Sequence, residues 1–274
     1  MDAGSGSAFR GTCTAVNRSQ PFTRTLPIDG VPLTYTFLAA LALMLVHLLA
    51  GRLHTLSELP RSRWLSAAGG VAVAYVFIHL LPELAHGQNV MEGSELRLLN
   101  YLEHHVYLLA LAGLACFYGL ERMIKAHRRK VSDQAESHPG VFWLHIGAFS
   151  AYNGLIGYLL VHRQSDGVGE LLLYVVAITL HFLVNDFALQ SDHHRLYNRS
   201  GRWVLAGSAL AGWGLGTVIQ LSDLAISALT AFIAGAIVLN VLKEELPEER
   251  NSRFSAFLVG AASYTVLLLA ITAA

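Results

Sequence analysis

The chain has 274 residues, of which 54% are hydrophobic and only 14% charged, where soluble domains carry about 25% charged residues. Its formal net charge is zero, which argues against a nucleic-acid surface or a polybasic lipid-binding device. Two cysteines, Cys13 and Cys116, cannot build a disulfide framework or a thiolate metal site, so any metal chemistry must use nitrogen and oxygen.

Residues 1–30 are rich in Gly, Ser and Thr and show no apolar period; they read as a disordered tail without the h-region of a secretory signal. Beyond them, hydropathy predicts an all-α polytopic bundle of eight transmembrane helices, at about 31–51, 64–86, 101–123, 141–162, 168–190, 203–221, 223–242 and 254–273. Backbone polar groups in lipid must be bonded within their own segment, which makes each span a helix. Together they form one transmembrane domain over residues 31–274, which almost fills the chain.

Basic residues set the orientation. Arg52, Arg61 and Arg63 follow the first span, Lys125, Arg128, Arg129 and Lys130 the third, Arg195, Arg199 and Arg202 the fifth, and Lys243, Arg250 and Arg253 the seventh. All four loops fall on one side, which the positive-inside rule makes cytoplasmic, with both termini outside. Arg10, Arg18 and Arg24 in the outer tail run against this pattern. The expected location is the cell (plasma) membrane.

Ionisable and amide side chains inside spans cost several kcal/mol and are site candidates by default. The second span carries His79 and Glu83, an i, i+4 pair beside Pro82, which removes a backbone donor near the outer end. Glu103, His104 and His105 begin the next span on the same side. The fourth span holds His145, Ser150 and Asn153, with His145 and Asn153 two turns apart on one face. The fifth holds His181 and Asn185, again i, i+4, with Asp186 beside them, Gln190 a turn later, and His193 and His194 towards the cytoplasm. Imidazole nitrogen with carboxylate or amide oxygen suits zinc, iron or manganese. The same pairs also serve as interhelical hydrogen bonds that only hold a bundle together. In the sixth span Gly207, Ala211, Gly212, Gly214 and Gly216 favour close helix packing. Glu244, Glu245, Glu248 and Glu249 after the seventh read first as a solvated cap.

With its eight-span plan, the second-span ending "FIHLLPELAHG", polar fourth and fifth helices and the final "VLKEELPEERNSRFSAFLVGAASY", the chain resembles the ZIP (Zrt/Irt-like) family of divalent metal transporters. His79 to Glu83 match the family's His-x-Leu-Pro-acid ending of the second span. The departures lie in the metal helices. Phe149 stands in the family's His position, Ser150 in the polar one and Asn153 in the acid one, before Gly154; His181 keeps the His position, while Val184 replaces Pro and Asn185 replaces Glu. Asp186-Phe-Ala-Leu is similar to the family's later Asp-Phe-Ala run, brought nearer to the histidine. The family's binuclear, carboxylate-rich centre therefore does not carry over intact.

The resemblance implies ATP-independent uptake of divalent cations towards the cytoplasm, with His79 and Glu83 at the entrance, His145, Asn153, His181, Asn185 and Asp186 at the transport site, and His193 and His194 near the exit. The expected partners are divalent metal ions and the lipid bilayer, and a homodimer is compatible with the sequence; metal is substrate and not a resident cofactor, and no enzymatic role is expected. The alternative is a non-transporting protein of the same plan, acting as a metal sensor or structural partner. A histidine-box oxidase would need more closely spaced histidines than the chain supplies.

Overall fold

The computed structural model describes residues 31–50, 63–92, 105–130, 139–163, 167–245 and 253–272. The predicted tail, the first-loop residues Arg52 and Arg61, Glu103, His104 and the glutamates beyond residue 245 lie outside the described residues. The described chain is helical throughout: α1 (Leu33–Ala50), α2 (Arg63–Tyr75), α3 (Leu81–Glu92), α4 (His105–Lys130), α5 (Pro139–His162), α6 (Val168–Leu196), α7 (Arg202–Val218), α8 (Asp223–Glu245) and α9 (Phe254–Thr272). Seven helical runs are long and apolar enough to cross a membrane.

Two junctions depart from plain α-helix. Between α2 and α3 a π turn spans Val76–Leu80, and the Leu81 N–H reaches back to the Val76 carbonyl. Pro82 follows at once, and the widened turn absorbs a residue that would otherwise break the i→i−4 ladder. The helix consequently runs on past Pro82 to Glu92, where the sequence suggested an end near residue 86. The second junction joins α6 to α7 through a π turn at Tyr197–Gly201, with His193 at φ −138°, ψ 40° inside α6. The combined run, Val168–Val218, has 51 residues. Straight, it would be roughly 76 Å long, more than twice the hydrocarbon thickness.

It is not straight, because the chain reverses there. Along α5 and α6, His145 meets His193, Tyr152 meets His181 and Arg163 meets Tyr174, so these helices are antiparallel. Along α5 and α7, Gly154 lies against Ser208, Gly157 against Ala209 and Trp213, and Gly216 against Tyr158 and Val161, so these are parallel. The same reasoning makes α2 parallel to α9, through Ser66 with Arg253 and Tyr75 with Tyr264, and α4 parallel to α8, through Gly113 with Phe232 and Glu121 with Lys243.

Glycines permit these three parallel pairings. A Cβ built on Gly70 would strike the Phe257 carbonyl and one on Gly260 the Ala67 carbonyl; Gly113 and Gly235 do the same towards Phe232 and Ala110, and Gly157 and Gly212 towards Ala209 and Gly154. Each pair is thus in backbone contact at two reciprocal points, the arrangement that small residues allow between membrane helices. Most of the interior is an apolar cluster that includes Leu43, Ile146, Ile156, Ile178, Phe182 and Ala234, with a smaller one at Leu65, Ala68 and Val184. Large apolar side chains also cover the outside, with Leu38, Leu111, Leu172, Val259 and Val266 all exposed, as lipid-facing positions require.

A buried polar layer between α1, α5 and α6

On α6, residues 178, 181, 182, 185, 186, 189 and 193 recur at intervals of three and four, and all are buried. This stripe faces α1, through His47, and reaches by its long side chains to α5, whose buried positions include His145, Phe149, Tyr152, Asn153 and Ile156. Both faces mix polar with apolar groups, so the polar ones must find partners inside the bundle. They do so in two layers.

The central layer holds two hydrogen-bonded groups. The Tyr152 hydroxyl donates to His181 Nε2 at 2.8 Å, and Asn185 Nδ2 approaches the same nitrogen at 3.0 Å. Asn185 Nδ2 can only donate, which assigns the His181 proton to Nδ1 and leaves the two groups sharing the single Nε2 lone pair. Beside it, His47 Nδ1 lies 2.7 Å from Asp186 Oδ2, and Asn153 Nδ2 donates to His47 Nε2 at 3.0 Å. The carboxylate therefore orients the imidazole through its Nδ1 proton, and the Nε2 lone pair points towards Asn153. A carboxylate behind a histidine is the arrangement that orients metal-binding imidazoles. Asp186 Oδ1 has no hydrogen-bond partner, and the Tyr197 hydroxyl lies within electrostatic reach of Asp186 without meeting hydrogen-bond geometry. His47, Asn153, His181, Asn185 and Asp186 are each at most 5% exposed.

The inner layer is His145 and His193, with Nδ1 and Nε2 3.2 Å apart. Two nitrogens on one tetrahedral zinc, each at about 2.0–2.1 Å, lie roughly 3.4 Å apart, a similar separation, although here one ring presents a proton to the other and would have to turn or change tautomer to ligate. Phe149 separates it from the central layer, in ring contact with both His145 and Tyr152.

At the opposite end of the bundle lies a cavity of about 500 Å³, lined among others by His79, Glu83, His86, Arg163, Glu170 and Asp223. Its apolar wall includes Ile156 and Ile233. Since Ile156 is one helical turn beyond Asn153, the cavity approaches the central layer to within about 5 Å along the helix axis. His79 and Glu83 are side by side there, with Nε2 and Oε2 3.7 Å apart.

The structure thus gathers most of the sequence-predicted residues, but as separate small groups. Asn153 and Asp186 meet through His47, His181 meets Asn185, His145 meets His193, and His79 meets Glu83. His194 is exposed beyond the inner layer. Among the described residues, no three His, Cys, Asp or Glu side chains converge on one point. His47, Tyr152 and Arg163 were missed from sequence. For His47 the signal was present, since it is the one ionisable residue in an otherwise apolar first span. Comparison with protein-family models and with curated proteins finds no match for this chain.

Proposed function

We propose that this chain is a multi-pass membrane transporter that carries divalent cations, of the zinc, iron or manganese type, towards the cytoplasm without ATP. One observation carries this reading: imidazole, amide and carboxylate groups are buried in a file along α1, α5 and α6, inside helices apolar enough to span a bilayer. Polar groups at that depth are costly and are kept where an ion path or a substrate site needs them. In this reading the 168–218 run crosses twice, giving eight spans.

The helix directions agree with an inner and an outer end. Trp64, Trp143 and Trp203 are exposed at the starts of α2, α5 and α7, which lie at one end of the bundle together with Arg63, Arg202, Arg253, Lys125 and Lys243. Tryptophans of this kind suit either membrane interface, and the excess of Lys and Arg at this end favours the cytoplasmic one. The other end presents Glu83, Glu170 and Asp223 around the cavity, a surface that attracts cations from outside.

The path would run from His79 and Glu83 to the central layer and on to His145 and His193. In the central layer, His47 Nε2 and His181 Nε2 supply nitrogen lone pairs once Asn153, Asn185 and Tyr152 release them. The two asparagines can rotate to present Oδ1 in place of Nδ2. Asp186 supplies charge through His47. With one carboxylate instead of several, the site favours ions that bind imidazole well over calcium or magnesium.

A second reading is a non-transporting bundle of the same plan, a sensor or structural partner. It is favoured by the internal pairing of the central nitrogens and by the lack of a three-ligand cluster among the described residues. Uptake into proteoliposomes holding the purified wild type, against protein-free vesicles, separates the two. Saturable uptake of zinc, manganese or iron supports transport; none by a folded, oriented protein leaves the second reading.

A further inference from the structure

Arg163, immediately after α5, is a cation held where a cation path would begin. Its side chain is 8% exposed. Nη1 lies 3.5 Å from Glu83 Oε2 and Nη2 contacts His79 Nε2. The guanidinium carbon sits 4.4 Å above the Tyr174 ring. Tyr75 stacks on His79 at 5.4 Å and meets Tyr174 edge-on at 6.0 Å, completing an aromatic wall around the guanidinium. A carboxylate, an imidazole lone pair and the face of a tyrosine are what a cation-binding site offers, and all three are turned on Arg163.

We infer that Arg163 is a tethered plug: it occupies the His79–Glu83 site in the cavity wall, and an incoming divalent cation reaches those ligands only by displacing it. The inference rests on the transport reading, and it follows from valence. His79 Nε2 has one lone pair, which cannot serve an arginine donor and a metal ion together. Arginine stays charged at all physiological pH, so the plug is not cleared by its own deprotonation; a competing cation clears it. The apparent affinity is the intrinsic one reduced by the fraction of molecules with Arg163 withdrawn. Zinc-like ions, which gain most from imidazole nitrogen, displace the guanidinium more readily than calcium or magnesium. Arg163 thereby sets selectivity as well as threshold.

The test is equilibrium dialysis of radiolabelled zinc with the purified full chain in detergent, using wild type, Arg163→Lys, Arg163→Gln and the double variant Arg163→Gln, Glu83→Gln. Arg163→Gln is expected to bind zinc at the outer site about tenfold more tightly than wild type and to lose part of the preference for zinc over calcium; the double variant is expected to lose the gain. Millimolar guanidinium should compete with zinc in Arg163→Gln, whereas equal sodium should not. Unchanged zinc affinity in Arg163→Gln, or a gain that survives Glu83→Gln, overturns the plug. If Arg163→Gln does not fold, Arg163→Lys decides: lysine lacks the planar fork and stacks less well, so tighter zinc binding is expected and unchanged binding refutes. These readouts need no transport. A gain in binding without uptake would sink the transport reading alone, whereas uptake without the gain would sink the plug alone.

Discussion

Replacing His47 by alanine tests whether the central layer exists as drawn. His47 bonds Asp186 Oδ2 at 2.7 Å and accepts from Asn153 at 3.0 Å, while Asp186 Oδ1 already lacks a hydrogen-bond partner. His47→Ala therefore strands a carboxylate whose side chain is only 1% exposed. Leaving a buried carboxylate without its imidazole donor costs about 3 kcal/mol, and the lost Asn153 bond adds about 1 kcal/mol. For a chain of this size that is a fall in unfolding midpoint of roughly 10 °C or more. Thermal unfolding in detergent, followed by circular dichroism, reads it. The double variant His47→Ala, Asp186→Ala removes the stranded charge and is expected to recover about 2 kcal/mol, within the range of couplings measured between contacting residues. A loss under about 1 kcal/mol in the single variant, or no recovery in the double, would mean that the two side chains do not meet in the folded protein.

Outcomes are expected for four further variants. Gly235→Val should lower the unfolding midpoint sharply, because its Cβ would stand 2.6 Å from the Ala110 carbonyl carbon and 2.9 Å from the Leu114 nitrogen. Gly119→Ala, with nothing within 4 Å, should be neutral or gain up to about 1 kcal/mol; equal effects in thermal unfolding would contradict the α4–α8 contact. Tyr152→Phe deletes the donor to His181 and should cost about 1 kcal/mol, visible as a small midpoint shift in the same assay. Asp186→Asn keeps the shape of the central layer but removes its charge, and should raise the KM for zinc uptake by at least about tenfold; an unchanged KM would take Asp186 out of the transport site.

The helices were legible in the sequence because apolar runs of membrane length leave little choice, and α5 matches its predicted bounds of 141–162 to within two residues at each end. What escaped was local geometry. The sequence ends the second span near residue 86 with its last turns loosened by Pro82, yet the π turn at Val76–Leu80 accommodates the proline and the helix runs on to Glu92. The reversal breaks helical geometry at His193 (φ −138°, ψ 40°) and is completed by the π turn at Tyr197–Gly201. In the site, His181 with Asn185 was visible because i, i+4 partners share a face. His47 stands out as a histidine in an apolar first span, but its partner could not be read, because Asp186 is 139 residues away. Arg163 reads as a loop residue, and only the approach of α3 and α6 to the end of α5 buries it. The pairing of His145 with His193 likewise needs the antiparallel register of α5 and α6.

The central claim is that a divalent cation passes through the layer between α1, α5 and α6. Its most direct test compares radiolabelled zinc uptake by proteoliposomes of wild type with the variant His181→Ala, Asn185→Ala, after matching helix content, monodispersity and orientation. Saturable uptake by wild type, abolished in the variant, is the result expected. Equal uptake by both would place the path elsewhere in the bundle and contradict the account.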